Sequence, residues 1–397
     1  MSKKKVQTST ALFTTTPAQA PLPTTPIEDI TAFYNMPDSA ASNLIYDILE
    51  AGANLDTLPA SKQIISRKNE YKVIKGKDTK TGKATRKITM NGEKASITIT
   101  LNDAEKVTSG SNKPAKKLFI LSLIEINSQC LQGGQLTQDY ISFPLQQLVD
   151  NGNYKSIRTA RTGFLSGADT LTSLKVKGTT KKTTKSKKAS NETEIAALEV
   201  LFTGAKIEKG QCFIYLNERI NWGFLCEYFT ILPPYYFRLP NRASDLLYYI
   251  FFLARQHTRE IEEKGYFNIS FRAIQYKLQL PNEKGLNNPQ RDIKDAIEGA
   301  IEQIEVAHKA TYSNMDIAFI IQPDGIDGAN ISEYLDNGYL RVEIKGAFAS
   351  KFIAMSKETQ KKITAAQKRQ AKIQEKIDTA IAEKQAEKAT KPTGEAD

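Results

Sequence analysis

Two stretches of the chain, joined by a connector rich in proline and aromatic residues, carry the same order of apolar patterns without repeating each other's sequence. This restricts the fold more than any single motif does. In the first stretch, KKLFILSLIEINSQ gathers Leu118, Phe119, Leu121, Leu123, Ile124 and Ile126 into one run, which predicts a buried helix broken by Gly133 and Gly134. ISF at 141–143 predicts a short strand ending at Pro144, and LQQLVDNG a short helix closed by a turn at Asn151 and Gly152. A further helix begins near Ser156, and a hairpin follows from LTSLKVKG and, beyond a basic loop, IAALEVLF or QCFIYL.

The second stretch opens with RASDLLYYIFFLARQHTREIEE (242–263), a long apolar helix, then FNIS (267–270), a strand leading into a Ser cap, then the short helix FRAIQYKL. NNPQRDIKDAIEGAIEQI sets Pro289 at a first helical position and lines Ile293, Ala296, Ile297, Ala300, Ile301 and Ile304 along one face. DIAFII (316–321) and YLRVEIKG (339–346) supply two strands. Helix, strand, helix, turn, helix and hairpin is the parts order of a winged helix, an elaborated helix-turn-helix. The expected fold class is therefore α+β, with two tandem winged-helix domains at 96–226 and 227–346; a generic mixed α/β domain is the alternative on this pattern alone.

A chain of 397 residues leaves room for extensions around two such domains. Residues 1–38 begin MSKKK and continue largely in Thr, Ala and Pro, too little apolar surface to offset chain ordering, and are expected as a disordered basic arm. Within the poorly defined extension 39–95, a helix is expected around 39–51 from Leu44, Ile45, Ile48 and Leu49, and 67–95 as hairpin or irregular structure. The segment 347–397 reads as a charged helical tail ending in a disordered KATKPTGEAD. Its stripe of Ile363, Ala366, Gln370, Ile373, Ile377 and Ala380 suits a solvated helix, with a weak coiled coil and homodimer as the alternative.

The formal charge of +11 favours an acidic partner. No apolar run reaches the roughly 20 residues needed to span a bilayer, the longest being LLYYIFFLA at 246–254, so the expectation is a cytoplasmic protein without a membrane partner. Cys130, Cys212 and Cys226 lack CxxC spacing and neighbouring histidines, which predicts buried thiols and neither disulfides nor a metal site.

Placed on a helix, residues 156–171 put Ile157, Ala160, Phe164, Ala168 and Leu171 on one side. Lys155, Arg158, Thr159, Thr162 and Ser166 fall on the other, with Arg161 on its flank. Arg presents paired donors to guanine O6 and N7, while Lys and hydroxyl groups meet phosphates or base edges, so this face suits a DNA-reading helix; a solvated face is the plain alternative. Beside it, residues 171–190 hold Lys175, Lys177, Lys181, Lys182, Lys185, Lys187 and Lys188 and no carboxylate, as a wing reaching phosphate would. In the second domain Arg291 and Lys294 are opposed by Asp292, Asp295, Glu298, Glu302 and Glu305, so DNA contact is expected only at the helix start through Gln290, Arg291 and Lys294, with Arg272 and Lys277 on the preceding helix.

Enzyme chemistry finds little support, and no cofactor is expected. In GKDTKTGKAT the spacing of Gly76 and Gly82 is wrong for a phosphate loop, and Ala84 stands where a hydroxyl would hold magnesium. His257 and His308 are far apart within helical patterns. Tyr235, Tyr236 and Phe237, interleaved with Leu and Ile, are expected to form a hydrophobic joint between the domains, with Trp222 anchoring the same region.

Over about residues 96–346, through KLFILSLIEIN, YISFPLQQLVDNGNYKSIRTARTGFLSGADTL, the connector ILPPYYFRLPNRASDLLYYIFFLARQ, FNISFRAIQYKL and NNPQRDIKDAIEGAIEQI, the chain resembles the initiator proteins of iteron plasmids and related phage replication proteins. That resemblance implies two winged-helix domains that bind repeated double-stranded DNA sites at a replication origin, recruit host replication proteins, and often dimerise through the first domain. It also implies that 156–170 and 288–304 are the two recognition helices. The acidic second helix and the lysine-rich wing depart from the family pattern. A winged-helix transcriptional regulator and a protein-binding adaptor are the competing expectations.

Overall fold

In the computed structural model, the residues described are 34–37, 40–51, 70–91, 95–101, 107, 113–132, 135–152, 154–181, 192–220, 222, 229–283, 286–312, 316–326, 330–346, 348–354 and 357. The first described elements are strand β1 (Tyr34–Pro37), inside the stretch expected to be a disordered arm, and helix α1 (Ala40–Ala51). Three strands follow, β2 (Glu70–Lys77), β3 (Ala84–Asn91) and β4 (Ala95–Leu101). The β2–β3 connection is GKDTKTGKAT, so the near match to a phosphate loop is a hairpin, closed by Asp78 accepting from the Lys80 and Thr81 amides at 2.9 and 2.8 Å.

Helix α2 (Lys113–Glu125) comes next and ends in a π-helical turn at Ile126–Cys130. It is buried from Ala115 to Glu125, as its unbroken apolar run requires. A small ribbon, β5 (Leu131–Gln132) with β6 (Gln135–Leu136), leads to β7 (Tyr140–Pro144), α3 (Leu145–Asp150) and α4 (Ile157–Thr172). Beyond α4 run β8 (Leu174–Lys181), β9 (Glu192–Val200), β10 (Phe202–Glu208) and β11 (Gln211–Leu216).

The expected single hairpin is therefore two. β10 and β11 pair with β7 in the order β10-β11-β7, with Cys212 opposite Phe143 and Ile214 opposite Ile141, and this sheet closes the first module over α2, α3 and α4. β8 and β9 instead join the N-terminal strands in a five-stranded antiparallel sheet ordered β2-β3-β4-β8-β9. The hairpin of β8 and β9 thus stands in the chain between α4 and β10–β11, and belongs to a different sheet.

After the connecting strand β12 (Phe229–Leu232) and a 3-10 turn at Pro234–Phe237, the second module contains α5 (Asn241–Gln256), α6 (Thr258–Lys264), β13 (Tyr266–Ser270), α7 (Phe271–Lys277), a π-helical turn at Gln290–Lys294, α8 (Asp295–Thr311), β14 (Ile317–Gln322), α9 (Ile331–Asn337) and β15 (Tyr339–Ile344). Its sheet is ordered β13-β15-β14, so in both modules the last strand lies between the other two. The molecule is α+β, built from small antiparallel sheets each backed by short helices, an arrangement consistent with paired winged helices.

One hydrophobic core runs through both modules and the connector. Tyr235, Tyr236 and Phe237 are buried there as expected of a joint. Trp222 anchors the first module instead, packing on Phe202 at 5.6 Å and donating from Nε1 to the Asn217 carbonyl. α1 lies between the modules, which explains why Ser42 to Leu49 are all buried. Its Tyr46 stacks on Tyr248 of α5 at 4.0 Å and donates to Asp245 at 2.7 Å, and Lys116 of α2 pairs with the same carboxylate at 2.6 Å. Lys117 donates to the Phe237 and Leu239 carbonyls. β1 pairs antiparallel with β12, Tyr34 opposite Leu232, and fastens the N-terminal segment to the connector.

Cys130 and Cys212 are buried free thiols, and burial raises their pKa values to about 11 and about 12. Cys226 and residues 1–33 and 358–397 lie outside the described residues, so the expected arm and coiled-coil stripe lie there too.

Candidate nucleic-acid interface

α4 begins where its sequence supplies a cap. The Ser156 hydroxyl accepts from the Thr159 amide at 3.3 Å, and the Thr159 hydroxyl accepts from the Ser156 amide at 3.1 Å and donates to the Ser156 carbonyl at 2.8 Å. This reciprocal box satisfies amides that a helix start leaves unpaired. Thr159 is exposed, as expected, but its hydroxyl is engaged in the cap.

Ala160, Phe164, Ala168 and Leu171 are buried, with Phe164 edge-on to Phe143 of β7 at 6.1 Å. Ile157, expected on that side, is 44% exposed because it stands at the first turn, ahead of the packed stretch. Two glycines set how closely α4 lies on its neighbours. A Cβ at Gly163 would meet the Tyr154 ring at 2.2 Å, and one at Gly167 would meet the Pro114 backbone of α2 at 3.0 Å.

On the opposite face Lys155, Arg158, Arg161, Thr162 and Ser166 are exposed. Among the described residues no ion pair engages Lys155, Arg158 or Arg161; the Thr162 hydroxyl donates back to the Arg158 carbonyl at 3.3 Å. The face thus offers two guanidiniums and an ammonium, within about two turns at the start of the helix, for charge-assisted bonds to phosphates or guanine edges.

The first module's sheet has its hairpin turn between β10 and β11, where Lys209 and Gly210 take φ of 50° and 80°. Lys209 is exposed at the tip, while Lys206 behind it is paired with Glu208 at 2.8 Å. Sequence reasoning missed Lys209; the available signal was the Lys-Gly turn between the alternating runs FTGAKIE and QCFIYL. Lys175 is half-buried on β8 opposite Thr100, Lys177 lies opposite Thr98, and Lys181 ends the strand opposite Glu192. At about 3.3 Å per residue, β8 carries Lys181 some 23 Å from its start at Leu174. Lys182, Lys185, Lys187 and Lys188 lie outside the described residues. The described lysines of the run, Lys175, Lys177 and Lys181, therefore belong to the five-stranded sheet and not to the β10–β11 hairpin.

The second module departs further from expectation. Lys277 is buried, its Nζ 2.8 Å from Asp47 and 2.7 Å from Glu50 of α1, so it holds the modules together and is not a DNA contact. Lys294 is likewise buried, 4.0 Å from Glu298 and over the Tyr334 ring at 5.7 Å. Arg272 is clamped between Glu283 at 2.9 Å and Asp336 at 2.5 Å. Gln290 and Arg291 remain at the surface, Arg291 paired with Asp292 at 3.0 Å. Along α8, Asp295, Glu298, Glu302 and Glu305 flank an open groove against Phe319, Ile320 and Ile321 of β14. That face repels phosphate.

Among the described residues there is no cluster of three or more His, Cys, Asp or Glu suited to a metal, and no helix long and apolar enough to cross a membrane. His308 is buried against Tyr235, and burial lowers its pKa to about 4.

No family model and no curated protein matches the chain. It is similar in structure to a crystal structure of domains 2–3 of RctB, with TM-score 0.33 and 9% identity over 73% of this chain and 96% of that one. A crystal structure of selenomethionine derivatives of domains 2 and 3 of RctB gives TM-score 0.36 and 9% identity over 75% and 98% of the respective chains.

Proposed function

We propose that the chain is a non-enzymatic replication initiator, built on tandem winged helices, that binds repeated double-stranded DNA sites through α4 and brings host replication proteins to them. The observation that carries this reading is the capped, glycine-seated α4, with Lys155, Arg158 and Arg161 exposed on the face turned away from the core. Arg158 and Arg161 supply base discrimination, Lys155, Thr162 and Ser166 phosphate or base-edge contacts, and Lys209 a wing contact. The acidic groove of α8 and β14 favours a basic protein surface over DNA as the second module's partner.

Selection of bound duplexes from a random library tests the reading. A preferred site that recurs as direct repeats beside the gene supports initiation, and a lone palindrome at a promoter supports a regulator. Arg158→Ala and Arg161→Ala are each expected to cost about 1–3 kcal/mol on the preferred site and much less on random duplex. Equal losses on both would remove α4 from the reading role.

A further inference from the structure

We infer that the β2–β3 hairpin is a second duplex-DNA contact, one that holds the phosphate backbone beside α4 without reading sequence. Residues 70–91 contain Lys72, Lys75, Lys77, Lys80, Lys83, Arg86 and Lys87 against only Glu70 and Asp78. The strand register says where these charges lie. Arg86 is opposite Leu101, and Leu101 is opposite Leu174, the first residue of β8 and separated from α4 only by Ser173. Residues 77–84, at the turn of the hairpin, therefore overhang the end of the five-stranded sheet where it joins α4, whereas Lys181 closes β8 at the opposite end.

The sheet's root is also fastened to the first module. The Leu201 amide donates to the Leu174 carbonyl, the Asn217 amide to the Leu201 carbonyl, and Asn217 Nδ2 to the Val200 carbonyl at 2.9 Å. The overhanging lysines accordingly keep a fixed position relative to α4.

Lys77, Lys80, Lys83 and Lys87 are exposed. Asp78, the carboxylate of the turn, already accepts two backbone amides and so is engaged within the turn. Behind the turn, one face of the sheet carries the row Ile74, Lys87, Thr100 and Lys175, and next to it Thr89 and Thr98, whose hydroxyls are 3.1 Å apart. Strands about 4.8 Å apart set Lys87 and Lys175 roughly 10 Å from each other. Among the described side chains of this sheet, Ile74 is the large apolar group at the surface. Neither an aromatic platform for single-stranded bases nor an apolar set for lipid is present among them, and lysines with hydroxyls suit duplex phosphates.

The proposal rests on α4 facing DNA, and its test is read on random duplex, which needs no site preference. The full chain carrying Lys77→Gln, Lys80→Gln and Lys87→Gln is titrated with random and with selected duplex across a salt series. Each lost phosphate contact flattens the slope of log Kobs against log salt by about 0.9. A slope shallower by about 2 to 3 on both duplexes, with the preference between them unchanged, is the expected result. A control carrying Lys264→Gln, Lys309→Gln and Lys345→Gln removes the same charge from the second module. An unchanged slope, or an equal change in the control, overturns the proposal. Loss of binding to vesicles of anionic phospholipid with DNA binding intact overturns it in favour of a membrane surface. Absence of any preferred duplex would count against α4 as the reader and leave the slope comparison standing.

Discussion

Lys277 sits between two carboxylates of α1, and without its ammonium Asp47 and Glu50 would be buried without the cation that pairs with both. Lys277→Met is expected to destabilise the fold by about 3–5 kcal/mol, read as the loss in denaturant unfolding free energy. Arg158→Ala, on an exposed position, should stay within about 0.5 kcal/mol of the parent. Indistinguishable unfolding of the two variants would mean that the buried pair holds nothing. The difference between these two basic residues was not legible locally. Both follow a short apolar pattern on a helix, and what separates them is a partner 230 positions away in the chain. Thr159 was legible only in part: Ser156 was recognisable as a cap, but Thr in place of the usual Glu or Gln at the third helical position hid the reciprocal bond.

The position of α4 depends on Gly163 and Gly167, four residues apart and facing Tyr154 and Pro114. At Gly167 the obstructing atoms are backbone, which cannot rotate aside as a side chain does. Gly167→Ala should therefore cost about 1–3 kcal/mol by overpacking α2 against α4, and should weaken DNA binding by tilting the reading face. A variant as stable as the parent by thermal unfolding would show that the two helices can separate at no cost. The existence of α2, α3, α4, α5 and α8 was legible because long apolar periodicities survive any tertiary context. The division of the hairpins was not. β8, β9, β10 and β11 are all short runs of mixed apolar and polar residues, and only pairing with β4 and β7, which are distant in sequence, decides which sheet each joins.

Across the whole molecule, α1 is the piece that makes two modules one body. The carboxylates it contributes are strained electrostatically: burial raises Glu50 to about 7, with Asp245 and Asp47 adding to the rise and Lys277 and Lys116 opposing it, and burial raises Asp47 as well. Asp47 Oδ2 and Glu50 Oε1 have no hydrogen-bond partner among the described residues. Between its ordinary value of 4.5 and about 7, Glu50 keeps in the folded chain a proton that the unfolded chain has released. Its contribution to stability therefore declines as pH rises through that window and is level above it, a change of up to about 3 kcal/mol. The unfolding free energy of the parent relative to Glu50→Gln should fall between pH 5 and pH 7; a constant difference would sink the assignment.

The strap made by β1 and α1 has a consequence for how the protein is made. Its apolar residues Leu44, Ile45, Ile48 and Leu49 leave the ribosome early, but Lys277, which completes their surroundings, is translated 230 positions after Asp47. At about 5–20 residues per second that interval is on the order of 10–50 s. Throughout it α1 has only the first module to pack on, and its burial is complete only when the second module has been made.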